Sequence, residues 1–96
     1  MKIKIKDINN ANKITITFEF FREHKIVIDK NQNLIEENGV DITQECLKIL
    51  NEYTIGDIVV ESPYKGGMVL ALILQGKANG KCLKYLKAIA DNIVLE

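Results

Sequence analysis

Hydrophobic and polar positions alternate from the second residue of the chain: Ile3 and Ile5 fall on one side, Lys2, Lys4 and Lys6 on the other. A period of two belongs to a strand with one wet face, so residues 2–8 predict a first strand. Asn9, Asn10, Ala11 and Asn12 follow as a polar cluster whose asparagines tolerate turn geometry, and Ile14, Ile16, Phe18 and Phe20 then alternate again. The two runs predict a hairpin. Glu23 and His24 interrupt the pattern before Ile26, Val27 and Ile28 resume it as a third, β-branched strand; the polar stretch 29–33 and the apolar pair Leu34 and Ile35 close a meander.

From residue 41 the period lengthens. Asp41 or Thr43 is placed to cap a helix in which Ile42, Cys46, Ile49, Leu50 and Tyr53 recur at helical spacing, and Gly56 stops it. Ile58, Val59 and Val60 predict a fourth strand. Pro63, Tyr64, Lys65, Gly66 and Gly67 predict a loop into the apolar run 68–74, whose length and bounding glycines assign it to a buried central strand. The rival assignment is a helix, because Ser62 before Pro63 resembles an N-cap followed by proline in the first turn, and Met, Leu and Ala favour helices. Residues 79–94 carry Leu83, Leu86, Ala90 and Ile93 in one stripe, with Lys81, Lys84, Lys87 and Asp91 elsewhere, which predicts a terminal amphipathic helix. Strands gathered in groups, in the order βββαββα, predict an α+β fold. It is a two-layer sandwich forming a single domain over residues 1–96, with an antiparallel sheet of about five strands and two helices on one face.

Composition narrows the role more than the fold. The chain has 96 residues, 47% hydrophobic and 27% charged, which suits one folded domain and excludes a disordered or fibrous chain. Thirteen basic and thirteen acidic side chains cancel, removing the overall electrostatic pull of a nucleic-acid or anionic-membrane binder. Locally they separate: residues 1–30 hold seven basic and four acidic groups, 31–62 one and seven, and 63–96 five and two. One reading is solvated faces, with lysines discouraging edge-to-edge pairing of the sheet. The other is a polar surface that selects a charged partner. Cys46 and Cys82 are too few for a disulfide scaffold and predict reduced, buried thiols. The first residues lack the apolar stretch of a secretory signal, and no apolar run approaches the roughly 20 residues of a membrane-crossing helix, so the expectation is a cytoplasmic protein without a membrane partner.

Candidate chemistry is sparse. Gly76, Lys77, Gly80 and Lys81 echo a phosphate-cradling loop, but only three residues separate Gly76 from Gly80, and Cys82 replaces the hydroxyl that would hold magnesium. Asp29, Asn31 and Asn33 match the first half of a calcium loop, then Leu34 stands where glycine is required and Val40 where the bidentate glutamate belongs, which leaves a polar turn. Ser62 and His24 are the chain's only serine and histidine, and no signature brings them together as a triad. His24 is expected at a turn with a solvated ring. One histidine and two distant cysteines do not outline a zinc site, and Glu36 and Glu37 read as exposed neighbours in a polar turn. Tyr53 and Tyr85 fall near helix faces; Tyr64, beside Lys65 in a loop, is placed to anchor a partner or stack on a base. Phe21 alternates onto the wet side of the second strand with Thr15 and Thr17, making the open sheet face a contact surface.

The expected role is therefore a small non-enzymatic binding protein, an inhibitor, immunity factor or subunit, that acts through its sheet face or edge on a macromolecular partner, foremost a protein, with Lys2, Lys4, Lys6, Phe21, Tyr64 and Lys65 as contacts. The alternative is a metal-independent binder of a nucleotide or nucleic-acid phosphate through Lys77, Gly80, Lys81 and the lysine-lined strand. A third class is an enzyme whose chemistry comes from its substrate or from a site built by oligomerisation. No metal or cofactor is called for, and a monomer or a homodimer are both compatible with the pattern.

Overall fold

The computed structural model describes residues 2–10, 12–52, 63–76 and 92–96. Their elements, in chain order, are β1 (Ile3–Lys6), β2 (Lys13–Phe20), β3 (Arg22–Asp29), β4 (Leu34–Glu37), β5 (Val40–Asp41), α1 (Thr43–Glu52), α2 (Pro63–Leu74) and β6 (Ile93–Leu95). The strand expected at 58–60 and the expected terminal helix as far as residue 91 lie outside the described residues.

The meander forms as its alternation requires. β1 pairs antiparallel with β2, β2 with β3, β3 with β4 and β4 with β5. Polar side chains close the turns: Asn10 Oδ1 accepts from the amides of Asn12 and Lys13 at 2.7 and 3.2 Å, and Asp29 Oδ1 from those of Asn31 and Gln32 at 3.0 and 3.1 Å. Asp29 and Asn31, which echo a calcium loop in sequence, thus serve a turn; the Asn31 side-chain Nδ2 donates to Asn12 Oδ1 at 2.8 Å and joins the two turns.

Among the described residues the sheet has six strands in the order β5-β4-β3-β2-β1-β6, and it is mixed, because β6 runs parallel to β1 with Ile3 level with Ile93 and Ile5 with Leu95. This corrects the purely antiparallel sheet of about five strands. Ile93 fits the helical stripe of 79–94 by spacing, yet with Val94 and Leu95 it forms a short β-prone run, and pairing with β1 takes it into the sheet. The lysine-bearing β1 is consequently an interior strand, so its lysines do not guard an edge.

The second correction concerns 68–74, which belong to α2 and not to a central strand. Residues 66–72 are buried without a break. A helix covered on all sides has no amphipathic stripe, so its sequence carries no period to separate it from a buried strand. Proline in the first helical turn is the local signal that matches the outcome. Gly67 lets α2 approach the sheet: a Cβ there would stand 2.5 and 2.8 Å from the Phe18 ring. Gly76, at φ 90°, adopts the left-handed conformation and donates to the Ile73 carbonyl at 3.1 Å, so the first glycine of the suspected phosphate loop is a helix terminator.

Met68 to Leu72 of α2, with Ile42, Cys46 and Ile49 from α1 and the residue before it, meet one face of the sheet. That face supplies Ile3, Ile5, Ile14, Ile16, Phe18, Ile26, Ile28 and Ile35 to a single core. The start of α1 is tied to β4: Asp41 Oδ1 accepts from the Thr43 amide at 2.9 Å and from its hydroxyl at 2.7 Å, while Thr43 Oγ1 accepts from the Ile35 amide at 2.9 Å. No helix among the described residues is long and apolar enough to cross a membrane.

Candidate functional site

The opposite face of the same strands is open to water. Strand register fixes what it presents: Lys4, Thr17 and Lys25 share one level, Lys6, Thr15, Val27 and Glu36 the next, and Glu19 lies opposite Glu23. Lys2, Lys4, Lys6, Lys13 and Lys25 are exposed, as are Glu19 and Glu23, while Thr15, Thr17, Val27 and Glu36 are half-buried. Charges of both signs therefore interleave over a floor of threonine and valine. Two open hollows indent this face, one of about 320 Å³ lined by Lys2, Lys4, Thr17, Phe18, Glu19 and Glu23, the other of about 350 Å³ lined by Lys13, Lys25, Val27, Glu36, Asn38 and Gly39. The Lys4 ammonium lies 4.0 Å from Glu96, both side chains about half exposed, a pairing that holds little energy in water and leaves Lys4 available to a partner.

At one end of this face the β2–β3 hairpin turns through a single residue. Phe20 pairs with Arg22, and Phe21 between them has φ 63° and is 99% exposed. Left-handed backbone costs a bulky residue about 1–2 kcal/mol, and glycine is the usual occupant. Just below, Glu19 and Glu23 face one another as exposed like charges, another destabilising choice. Phe21 is thus exposed as expected, but it occupies the tip of the hairpin and not the strand face beside Thr15 and Thr17.

Beneath the tip, on the core side, lies a cluster that corrects two further expectations. His24 is 4% exposed within β3, opposite Phe18, and Glu37 is 6% exposed within β4. The imidazole lies between the rings of Phe18 and Tyr64, with centroids 4.9 and 4.8 Å away. Its Nδ1 is 2.5 Å from Glu37 Oε1, and its Nε2 is 3.1 Å from the carbonyl oxygen of Phe20. A carboxylate and a carbonyl only accept, so both contacts are hydrogen bonds together when each ring nitrogen carries a proton. Arg22 adds a hydrogen bond to the same Oε1 at 2.9 Å. Burial pushes the Glu37 carboxyl upward, but hydrogen bonds from Tyr64 and His24 and the nearby charge of Arg22 outweigh it, holding the group below the ordinary glutamate range. Burial and the bond to Glu37 push the Tyr64 phenol upward, so it remains a neutral donor.

This cluster has catalytic residue types and a bracing geometry. Both imidazole nitrogens are already engaged, and Oε1 of Glu37 serves His24 and Arg22 at once, so the dyad has no free ring nitrogen with which to move a substrate proton. What it does is hold both neighbours of Phe21: Phe20 by its carbonyl and Arg22 by its guanidinium. Cys46 is equally unsuited to chemistry, since burial, reinforced by Glu45, pushes its thiol up to about 12. Among the described residues, no group of three histidine, cysteine or acidic side chains is placed to hold a metal ion.

The residues singled out in the sequence are thus divided. Lys2, Lys4 and Lys6 lie on the open face, Phe21 at the tip, and Tyr64 and Lys65 in the first turn of α2, a helix and not the expected loop, where Tyr64 stacks on His24. Lys77, Gly80 and Lys81, which carry the phosphate alternative, lie outside the described residues, as do Tyr53, Ser62, Cys82 and Tyr85. His24 and Glu37 are buried in strands and not exposed in turns, and the sequence carries a signal for it: counting back by twos from Ile28 and Ile26 reaches His24, and forward from Ile35 reaches Glu37, so parity puts both on the core side. Comparison with models of known families, with curated proteins and with solved structures found no match to this chain.

Proposed function

We propose that this chain is a small non-enzymatic binding protein whose open sheet face docks on a protein of mixed surface charge, in the manner of an inhibitor, an immunity factor or a subunit. The observation that carries the reading is the interleaving of Lys2, Lys4, Lys6, Lys13 and Lys25 with Glu19, Glu23 and Glu36 around two hollows. Phosphate backbones favour a track of one sign, because affinity grows with each phosphate neutralised. Three carboxylates on the same face repel such a ligand, whereas a protein surface can answer both signs and gain register from doing so. The threonine and valine floor supplies the less polar centre that a protein interface uses inside its charged rim. A buried, unpaired Cys46 suits a reducing compartment and supports a cytoplasmic setting.

Photo-crosslinking tests the reading. A benzophenone amino acid at Thr17, in the middle of the face, and another at exposed Lys48 of α1 are irradiated in the producing cells. The expected result is a protein adduct from position 17 that is absent from position 48 and disappears when Lys4 and Lys25 are both replaced by Glu. Nuclease-sensitive adducts from position 17 would instead establish the phosphate-binding alternative, and no adduct beyond the control would end the proposal.

A further inference from the structure

We infer that the β2–β3 hairpin tip is a preformed recognition finger, with Phe21 entering an apolar pocket rimmed by basic side chains on the partner protein. The inference rests on the protein-binding reading above and adds the chemistry of the partner's contact.

Three locally unfavourable choices meet at this one turn: a phenylalanine in left-handed backbone, that ring left 99% exposed, and two glutamates directly opposed below it. A turn selected for stability would place glycine or asparagine at the tip and opposite charges across the strands. Local rules broken together at one turn mark a place where recognition sets the sequence. The surroundings then brace what the turn itself disfavours. Phe20 is held through its carbonyl by His24, Arg22 through its guanidinium by Glu37, and the half-buried Phe20 ring stands 4.5 Å from that of Phe21. The Phe20 carbonyl and the Arg22 side chain, one on each side of Phe21, are engaged before any partner arrives, which lowers the ordering entropy lost on binding.

Charge identifies the occupant. Arg22 is bonded to Glu37 and half exposed, while Glu19 and Glu23 are exposed and directly opposed just below the tip, so the ring is presented above a pair of carboxylates, with Lys2 and Lys4 lining the same hollow. Two opposed carboxylates beside the ring disfavour nucleic acid and anionic lipid there. A protein pocket with an apolar floor and lysine or arginine at its mouth answers both features, and a buried aromatic anchor is what such pockets take.

The test places the benzophenone amino acid at position 21, in the full chain and in the producing cells, beside the Thr17 probe. Expected are adducts mapping to apolar residues with Lys or Arg neighbours on the protein also reached from position 17, reduced at least tenfold when Glu19 and Glu23 are both replaced by Lys. Phe21→Gly should weaken co-purification of that protein at least tenfold while its thermal midpoint stays equal to or above that of the parent, which separates lost recognition from lost folding. If position 17 gives adducts and position 21 none, the finger is refuted and the face remains; if neither does, the binding reading itself fails. Adducts from position 21 to nucleic acid, to lipid or to a second copy of the chain overturn the inference, as does full retention of the partner by Phe21→Gly.

Discussion

The two faces of one sheet divide the molecule's tasks. On the inner face Ile3, Ile5, Ile14, Ile16, Ile26, Ile28 and Ile35 are withdrawn from water, and each contributes about 1.5–3 kcal/mol relative to exposure. On the outer face the alternating partners are lysines, threonines and glutamates, whose surface pairs contribute at most about 1 kcal/mol each. Stability therefore resides on the inner face, and the outer one contributes little to it. The inner face is not uniform either. Toward the hairpin tip, isoleucine gives way to His24 and Glu37, so burial is replaced by directional bonds that fix geometry where Phe21 is displayed.

The largest loss of stability is expected at Glu37. Removing the carboxylate in Glu37→Ala leaves the His24 Nδ1 proton, Arg22 and the Tyr64 hydroxyl without their acceptor, and urea unfolding should show a loss of about 3–5 kcal/mol. A loss below about 1 kcal/mol would mean the cluster braces nothing. The same group sets a pH dependence with a definite sign. Because its folded-state carboxyl lies below the ordinary glutamate range, its stabilising contribution is complete above that range and is lost as pH falls through the depressed value. The parent should thus lose stability in acid more steeply than Glu37→Gln, and parallel acid-unfolding curves would contradict the assignment.

Gly67→Ala probes the inner face away from charge. The added methyl meets the Phe18 ring at 2.5 Å, and since Phe18 is buried against His24 the ring has little room to yield; a cost of about 1–3 kcal/mol in the same urea assay is expected. The smallest effect belongs to the outer face. Replacing Lys4 and Lys25 together should leave the thermal midpoint unmoved while removing the position-17 adduct, and a folding defect there would show that the open face carries stability after all.

Much of the fold was legible because half-exposed elements write their exposure into the chain. The alternations of β1 and β2 and the spacing of Ile42, Cys46 and Ile49 each require one wet face and one dry one. α2 escaped because it is dry all round, and β6 because three residues are too few to display a period. The site was read in part. Lys2, Lys4, Lys6 and the exposure of Phe21 followed from alternation, whereas His24 was mistaken for a turn residue because a polar side chain inside a strand looks like an interruption until its acceptors are known.

Sequence alone determined which apolar residues of the meander turn inward and that two kinds of element, α and β, share the chain, since both follow from local periodicity and the avoidance of exposed apolar surface. Tertiary structure decided the rest: that β6 covers β1 in parallel, that α2 is a helix, and that Glu37 meets His24 thirteen residues away under the hairpin tip. The reason is physical. A period reports only how a segment meets solvent, while pairing between distant strands and the satisfaction of a buried charge depend on which segments the folded chain brings together.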